Sequence, residues 1–201
     1  MRLVVLASGN GSNLQTIIDN IAGGKLKAEI VAVISDKENA FALSRAQKAG
    51  IPTIYVDSKL YVNREEFNAT LADAVENFKP DYIVLAGYMR ILTPTFVKRF
   101  PMRILNIHPS LLPAFSGLHA QQQSWEYGVK VSGCTVHFVD SGLDSGPIIA
   151  QRTVEVFDAD TAESLSDRIL QQEHLLYSQV LEWLVEGKIS LDGRKVVIKK
   201  G

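Results

Sequence analysis

Cysteine is almost missing from this sequence: Cys134 is the only one in 201 residues. That excludes a disulfide framework and a cysteine-rich metal site. An excess of charge is missing too. Lys and Arg total 21 against 22 Asp and Glu, for a net charge of −1, so nothing draws the whole molecule to nucleic acid or an anionic membrane. Any anionic ligand must be held by a local site. Long apolar runs are absent as well. Nothing approaches the ~20 residues of a membrane span, and the first apolar run, residues 3–7, is too short for the core of a signal peptide. The expectation is a cytoplasmic protein, monomer or homodimer, that handles small molecules and has no nucleic-acid or membrane partner. Repeats, low-complexity tracts and linkers are lacking, and the length suits one hydrophobic core, so residues 1–201 read as a single domain.

What is present is an alternation of strand-like and helix-like segments. Residues 3–7, 30–35, 53–56, 82–86 and 103–107 are short, unbroken apolar runs, the pattern of strands buried on both faces. Helical patterns fill the gaps. Ser35 with Glu38, and Asn63 with Glu66, have capping-box spacing. Thr93 before Pro94 reads as an N-cap followed by proline at the first helical position. Such alternation predicts a doubly wound, mostly parallel α/β sheet with helices on both faces. The second half differs. Runs at 132–139 and 147–156 leave no room for a crossover helix between them, so they predict an antiparallel hairpin. A long helix over about 161–186 follows, and residues 194–199 suit a small terminal strand.

The first run leads into Ser8-Gly9-Asn10-Gly11-Ser12-Asn13 and a helix beginning near Ser12. Small residues admit a ligand to the backbone, and the N–H groups of a helix start suit a phosphate. The loop is not a Walker motif, because the Gly-Lys-Ser/Thr ending is missing. It also lacks the third glycine of a dinucleotide fingerprint, since Leu14 stands there. An ordinary tight strand-to-helix turn is the alternative.

The run at 103–107 ends in polar residues. Asn106 and His108 are two apart and project from one face of a strand. Their place at the carboxyl end of a parallel strand is where α/β sheets bind ligands. Pro109 stops the strand and stiffens the turn. Alone, His108 is equally a core histidine with satisfied partners, and Asn106 a turn residue. Asp144 lies in the tight Leu143-Asp144-Ser145-Gly146-Pro147 loop, where a turn aspartate is the plainer reading. Farther on, Leu165, Ile169, Leu176, Val180 and Leu184 form one apolar helical stripe, with Glu173 inside it. A carboxylate there needs a partner, whether a structural one or a ligand. His174 falls off the stripe and reads as surface. Arg64 follows the Asn63 cap, where a cation opposes the helix dipole. His119 and His137 show no paired metal-ligand pattern, and His137, inside a strand, reads as a core histidine.

The string Asn106-Ile107-His108-Pro109-Ser110-Leu111-Leu112-Pro113, followed by the Asp144 loop and preceded by the glycine loop, resembles the folate-dependent formyltransferases over essentially the whole chain. With the glycine loop in front, the chain closely resembles the branch acting on a phosphoribosyl glycinamide. The resemblance implies a Rossmann-like formyltransferase fold. It also implies transfer of a formyl group from 10-formyltetrahydrofolate, as co-substrate, to the substrate amine in purine synthesis. No set of three or four donors has the spacing of a metal site, so no metal is expected. The resemblance makes Asn106, His108 and Asp144 the catalytic group. It assigns Gly11, Ser12, Asn13, Pro109 and Glu173 to the phosphoribosyl glycinamide. Arg64, Met89, Arg90, Ile91, Leu92, Asn106, Val139, Asp140 and Asp144 go to the folate. The stretch 114–117 receives no role. A tRNA-acting relative would normally add a carboxyl-terminal barrel and a basic surface. A deformylase would normally add an amino-terminal regulatory domain. A non-catalytic nucleotide-binding module would have no use for the Asn-His-Asp set.

Overall fold

The five apolar runs of the first half become parallel strands because each is short and rich in aliphatic side chains, and the first four are each followed by a helix that returns the chain to the same end of the sheet. The computed structural model describes residues 1–199. In it β1 (Arg2–Leu6), β2 (Glu29–Ser35), β3 (Thr53–Tyr55), β4 (Tyr82–Leu85) and β5 (Ile104–His108) pair in parallel. The helices between them are α1 (Ser12–Ala22), α2 (Phe41–Lys48), α3 (Arg64–Glu76) and α4 (Pro94–Arg99). After α5 (Ala120–Tyr127), β6 (Val131–Phe138) and β7 (Ile148–Glu155) form the expected hairpin and extend the sheet antiparallel. The strand order is β3-β2-β1-β4-β5-β6-β7. The long helix α6 (Ala162–Val185) is closed at its start by a Thr161–Ser164 capping box. The terminal strand β9 (Lys195–Ile198) pairs with β8 (Ile189–Asp192), a partner with no clear sequence signal, in a separate two-stranded sheet.

Two of the three caps expected from sequence form. Thr93 accepts from Phe96 N at 3.4 Å, and Asn63 Oδ1 accepts from Glu66 N at 2.9 Å. The return arm of Glu66 goes to Val62 N, 3.2 Å away, rather than to Asn63 N. Ser35 and Glu38 make no cap. Ser35 is the last residue of β2, paired with Tyr55, and its Oγ accepts from Lys37 N. α2 starts later, after Ala40, because Ala42 N is tied back to Gly9 O at 3.1 Å. A contact across the chain, not a local box, sets that helix start.

Alternation along the strands builds one apolar core on each face. Leu3, Val5, Val84, Leu105 and Ile107 pack with α1, α2 and α6, whereas Val4, Leu6, Ile83, Leu85 and Ile104 pack with α3 and α4. The second core takes no buried residue from β6 or β7. Over β5 and β6 that face carries Asn106, His108, Thr135 and His137, since Asn106 pairs with His137 and His108 with Thr135. The chain after β5 is fastened over it. Thr135 Oγ1 donates to Ser110 O at 2.7 Å and accepts from Leu112 N at 3.1 Å, and Gln151 Nε2 donates to Leu112 O at 2.9 Å. A polar strip therefore survives inside the sheet where no helix covers it.

Candidate active site

Asn106 and His108 leave β5 on that polar strip, with His137 directly across from Asn106. The histidine fixes the amide. His137 Nδ1 lies 2.9 Å from Phe138 O and must donate to it, so Nε2 keeps its lone pair. Asn106 Nδ2, 3.2 Å away, then donates to that lone pair. This leaves the second N–H of the Asn106 amide free. Burial pushes the His137 imidazole below its ordinary pKa and favours this neutral form. The only sequence signal for His137 was its place opposite Asn106, which becomes visible once the hairpin register is known.

The loop between β6 and β7 brings in the carboxylate. Asp144 Oδ2 is 3.4 Å from His108 Nδ1, and Oδ1 is 3.8 Å from His137 Nε2. Several ties hold the loop. Asp140 Oδ1 accepts from Gly142 N at 3.0 Å and from Ser145 Oγ at 2.7 Å. A Cβ on Gly146 would stand 1.8 Å from Phe138 O, so no other residue fits there. From the β8–β9 turn, Arg194 donates to the Ser145 carbonyl.

His108 is 5% exposed, and its other nitrogen, Nε2, donates to Phe115 O at 2.8 Å. Gly117 N donates to Asp144 Oδ2, also at 2.8 Å. Residues 114–117, which received no role from sequence, thus touch both members of the pair. They do so through backbone atoms, which leave no side-chain signature.

A second polar group lies at the start of α1. Gly11, at φ +75°, stands at the N-cap with no side-chain cap, which leaves the N–H groups of Ser12, Asn13 and Leu14 without intrahelical partners. Gly11 has a packing reason as well as a ligand one, since a Cβ there would meet Ala42 Cβ at 2.7 Å. Asn13 Nδ2 donates to Glu173 Oε2 at 2.8 Å. This gives the carboxylate in the apolar stripe of α6 its partner. Burial pushes the Glu173 carboxyl above its ordinary range, and the Asn13 hydrogen bond only partly opposes that. Among the described residues no hydrogen bond or ion pair joins Glu173 to the His108 group. His174 is half-buried, not a surface residue, and its Nε2 is enclosed with no partner. Pro109, half-buried, follows His108 directly.

The residues assigned to the folate divide by exposure. Met89 and Ile91 are large apolar side chains left 64% and 58% exposed, while Leu92 is in the α3–α4 core. Val139 and Asp140 are half-buried at the end of β6, and Arg64 is exposed at the first turn of α3. Arg90 is already engaged. Its Nε donates to Asp36 Oδ2 at 2.7 Å, it also donates to Ser58 Oγ, and its guanidinium lies over Phe67. Ser8 Oγ ties the two loops by donating to Asp36 at 2.6 Å and accepting from Met89 N at 2.9 Å. Arg90 also borders an open cleft of about 450 Å³ with Ser8, Asp36, Phe41, Tyr55 and Lys59, which none of Asn106, His108 and Asp144 lines.

Known proteins share this arrangement of chain. Phosphoribosylglycinamide formyltransferase of Escherichia coli (strain K12) is 44% identical over 191 residues, covering 95% of this chain and 90% of that protein. The human trifunctional purine biosynthetic protein adenosine-3 is 45% identical over 190 residues, which cover 94% of this chain but 19% of its own length. The crystal structure of glycinamide ribonucleotide transformylase 1 from Symbiobacterium toebii matches with a TM-score of 0.97 at 46% identity, covering 100% of this chain and 94% of that one. The pattern of the formyl transferase family matches residues 1–181, and by that match the chain belongs to the formyl transferase family.

Proposed function

We propose that this protein transfers the formyl group of 10-formyltetrahydrofolate to the amine of a phosphoribosyl glycinamide, with Asn106, His108 and Asp144 as the catalytic group. The observation that carries the reading is the convergence of an amide, an imidazole and a carboxylate from β5 and the β6–β7 loop, with Asp144 Oδ2 3.4 Å from His108 Nδ1. The exposed Met89 and Ile91 suit the flat apolar surface of a folate. The uncapped start of α1 suits a phosphate.

The amine attacks the formyl carbon, and the carbonyl oxygen takes up negative charge. The free N–H of the Asn106 amide donates to that oxygen, an interaction of about 3–4 kcal/mol in well-studied enzymes. Collapse of the tetrahedral species breaks the bond from carbon to the folate nitrogen, which must gain a proton as it leaves. His108 supplies it as general acid, and the carboxylate of Asp144 stabilises the imidazolium. The attacking nitrogen loses one proton in the same sequence, so the protons balance. Nε2 of His108 donates to Phe115 O in this structure. Delivery of a proton from that atom requires the bond to be exchanged for one to the leaving nitrogen.

The test is turnover with both substrates, with water and methionyl-tRNA as alternative acceptors. His108→Ala should lower kcat by about 10²–10⁴-fold, with substrate affinity, measured by calorimetry, largely kept. Unchanged turnover would remove His108 from the chemistry. Release of formate with water as acceptor, and no formylated glycinamide, would replace the transferase reading with a deformylase.

A further inference from the structure

We propose that Asp36 is a positioning residue for the folate: its buried carboxylate, shared between Ser8 and Arg90, fixes the 87–91 loop in the conformation that turns Met89 and Ile91 outward. This rests on the folate co-substrate proposed above and names what holds its apolar platform in place.

The loop has few other ties. Gly87, at φ +72°, turns the chain after β4. Tyr88 and Leu92 pack with the α3–α4 core at either end, but the Tyr88 hydroxyl is enclosed with no partner and adds no directional hold. Between them Met89 and Ile91 stay 64% and 58% exposed. Apolar side chains gain by folding inward, so hydrogen bonds must hold this stretch out. Two come from Ser8, whose N donates to Gly87 O at 3.0 Å and whose Oγ accepts from Met89 N at 2.9 Å. The third runs from Arg90 Nε to Asp36 Oδ2 at 2.7 Å.

Asp36 governs two of these three bonds. Met89 N can only donate, so the single hydrogen of the Ser8 hydroxyl goes to Asp36 Oδ1, at 2.6 Å. Asp36 thereby sets the lone pair that receives Met89 N. Its side chain is 1% exposed, against 38% for Arg90. A carboxylate that deep gives up its hydration, and the ion pair returns little net stability. Stability therefore does not account for the charge. Geometry does, because both oxygens must accept. An asparagine has one acceptor oxygen. Turned one way, its N–H groups meet the Arg90 N–H; turned the other, the Ser8 hydrogen loses its acceptor. Asp36, directly after β2, thus links the carboxyl ends of β1, β2 and β4, where an α/β sheet presents its ligand loops.

The experiment compares Asp36→Asn, Ser8→Ala and the double variant. Calorimetry of the full chain with tetrahydrofolate, the folate product of the proposed reaction, reads the loop without the acceptor. Asp36→Asn should weaken tetrahydrofolate by about 10-fold, the scale of one hydrogen bond to a charged group, and Ser8→Ala should weaken it too. The double variant should bind no more weakly than Asp36→Asn, because both residues act through one relay. KM for the folate should rise while kcat at saturation and affinity for phosphoribosyl glycinamide hold, a split that lost stability alone does not produce. Unchanged tetrahydrofolate affinity in folded Asp36→Asn would overturn the proposal, as would losses that multiply in the double variant. If Asp36→Asn does not fold, Ser8→Ala decides by the same measurement. A wild type that binds tetrahydrofolate but formylates no glycinamide would overturn the transfer reaction alone, and the variants would still decide Asp36.

Discussion

Glu173 is a carboxylate in the apolar stripe of a helix, 7% exposed, with one hydrogen-bond donor, Asn13. Burial raises its pKa, and the sign of the consequence follows. A raised carboxyl favours the folded state most fully below the unfolded value, about 4.3, and that advantage disappears as pH climbs through the folded value. Glu173→Gln removes the buried charge and keeps an oxygen for Asn13. It should raise stability at neutral pH by roughly 1–3 kcal/mol, or about 2–4 °C in Tm for each kcal/mol in a chain of this size. The gain should shrink toward zero by about pH 4, where both proteins are neutral at this position. Thermal melts at the two pH values check it, and a gain of the same size at both would mean the charge is not what costs stability. Glu173 was legible because a carboxylate interrupts an apolar period. His137 was not, because a lone histidine in a strand looks the same whether it packs in a core or orients an amide. His174 was misread as surface for a related reason: the helical period ranks faces against the sheet and does not see a second helix packed alongside.

The β6–β7 hairpin carries Thr135, His137 and, in its connection, Asp144. Its register is therefore the element-level condition for the site. Gly133 marks how tightly the two strands and the covering loop meet. A Cβ there would stand 2.0 Å from Arg152 O on β7 and 2.9 Å from Leu111 Cδ2. Gly133→Ala should cost about 3 kcal/mol, at the upper end of overpacking in a tight interior. Its residual activity should fall further than its stability explains, because the shift propagates toward His137. Chemical denaturation and kcat measured on the folded fraction test this, and a variant with wild-type Tm would show that β7 yields freely. The hairpin itself was readable from the short spacing between two apolar runs. The start of α2 was not, since the bond from Ala42 N to Gly9 O that sets it is made across the chain. β8 was equally hidden, because four residues, three of them exposed, are too few for their alternation to stand out after a helix.

On the scale of the molecule, the sheet changes direction of winding between β1 and β4, and the loops after those strands part there. The glycine loop and α1 open on one side of this point, and β5 with its hairpin adds the polar strip on the other. Glu173 with Asn13 and His108 with Asp144 are thus separate groups on one sheet, which a substrate carrying a phosphate at one end and an amine at the other can span. Both core clusters draw on β1, β2, β4 and β5, so neither face can unfold while the other stays packed. The chain should therefore melt as one cooperative unit. Far-UV circular dichroism and fluorescence from Trp125 in α5 and Trp183 in α6 should give coincident transitions. Phosphoribosyl glycinamide at a hundred times its Kd should stabilise that unit by about 2.7 kcal/mol, raising Tm by roughly 5–10 °C with all probes moving together. A transition that splits on adding ligand, with the α6 signal moving alone, would mean that the Glu173 group and the His108 group belong to units that fold separately. One substrate then could not link them through a common sheet.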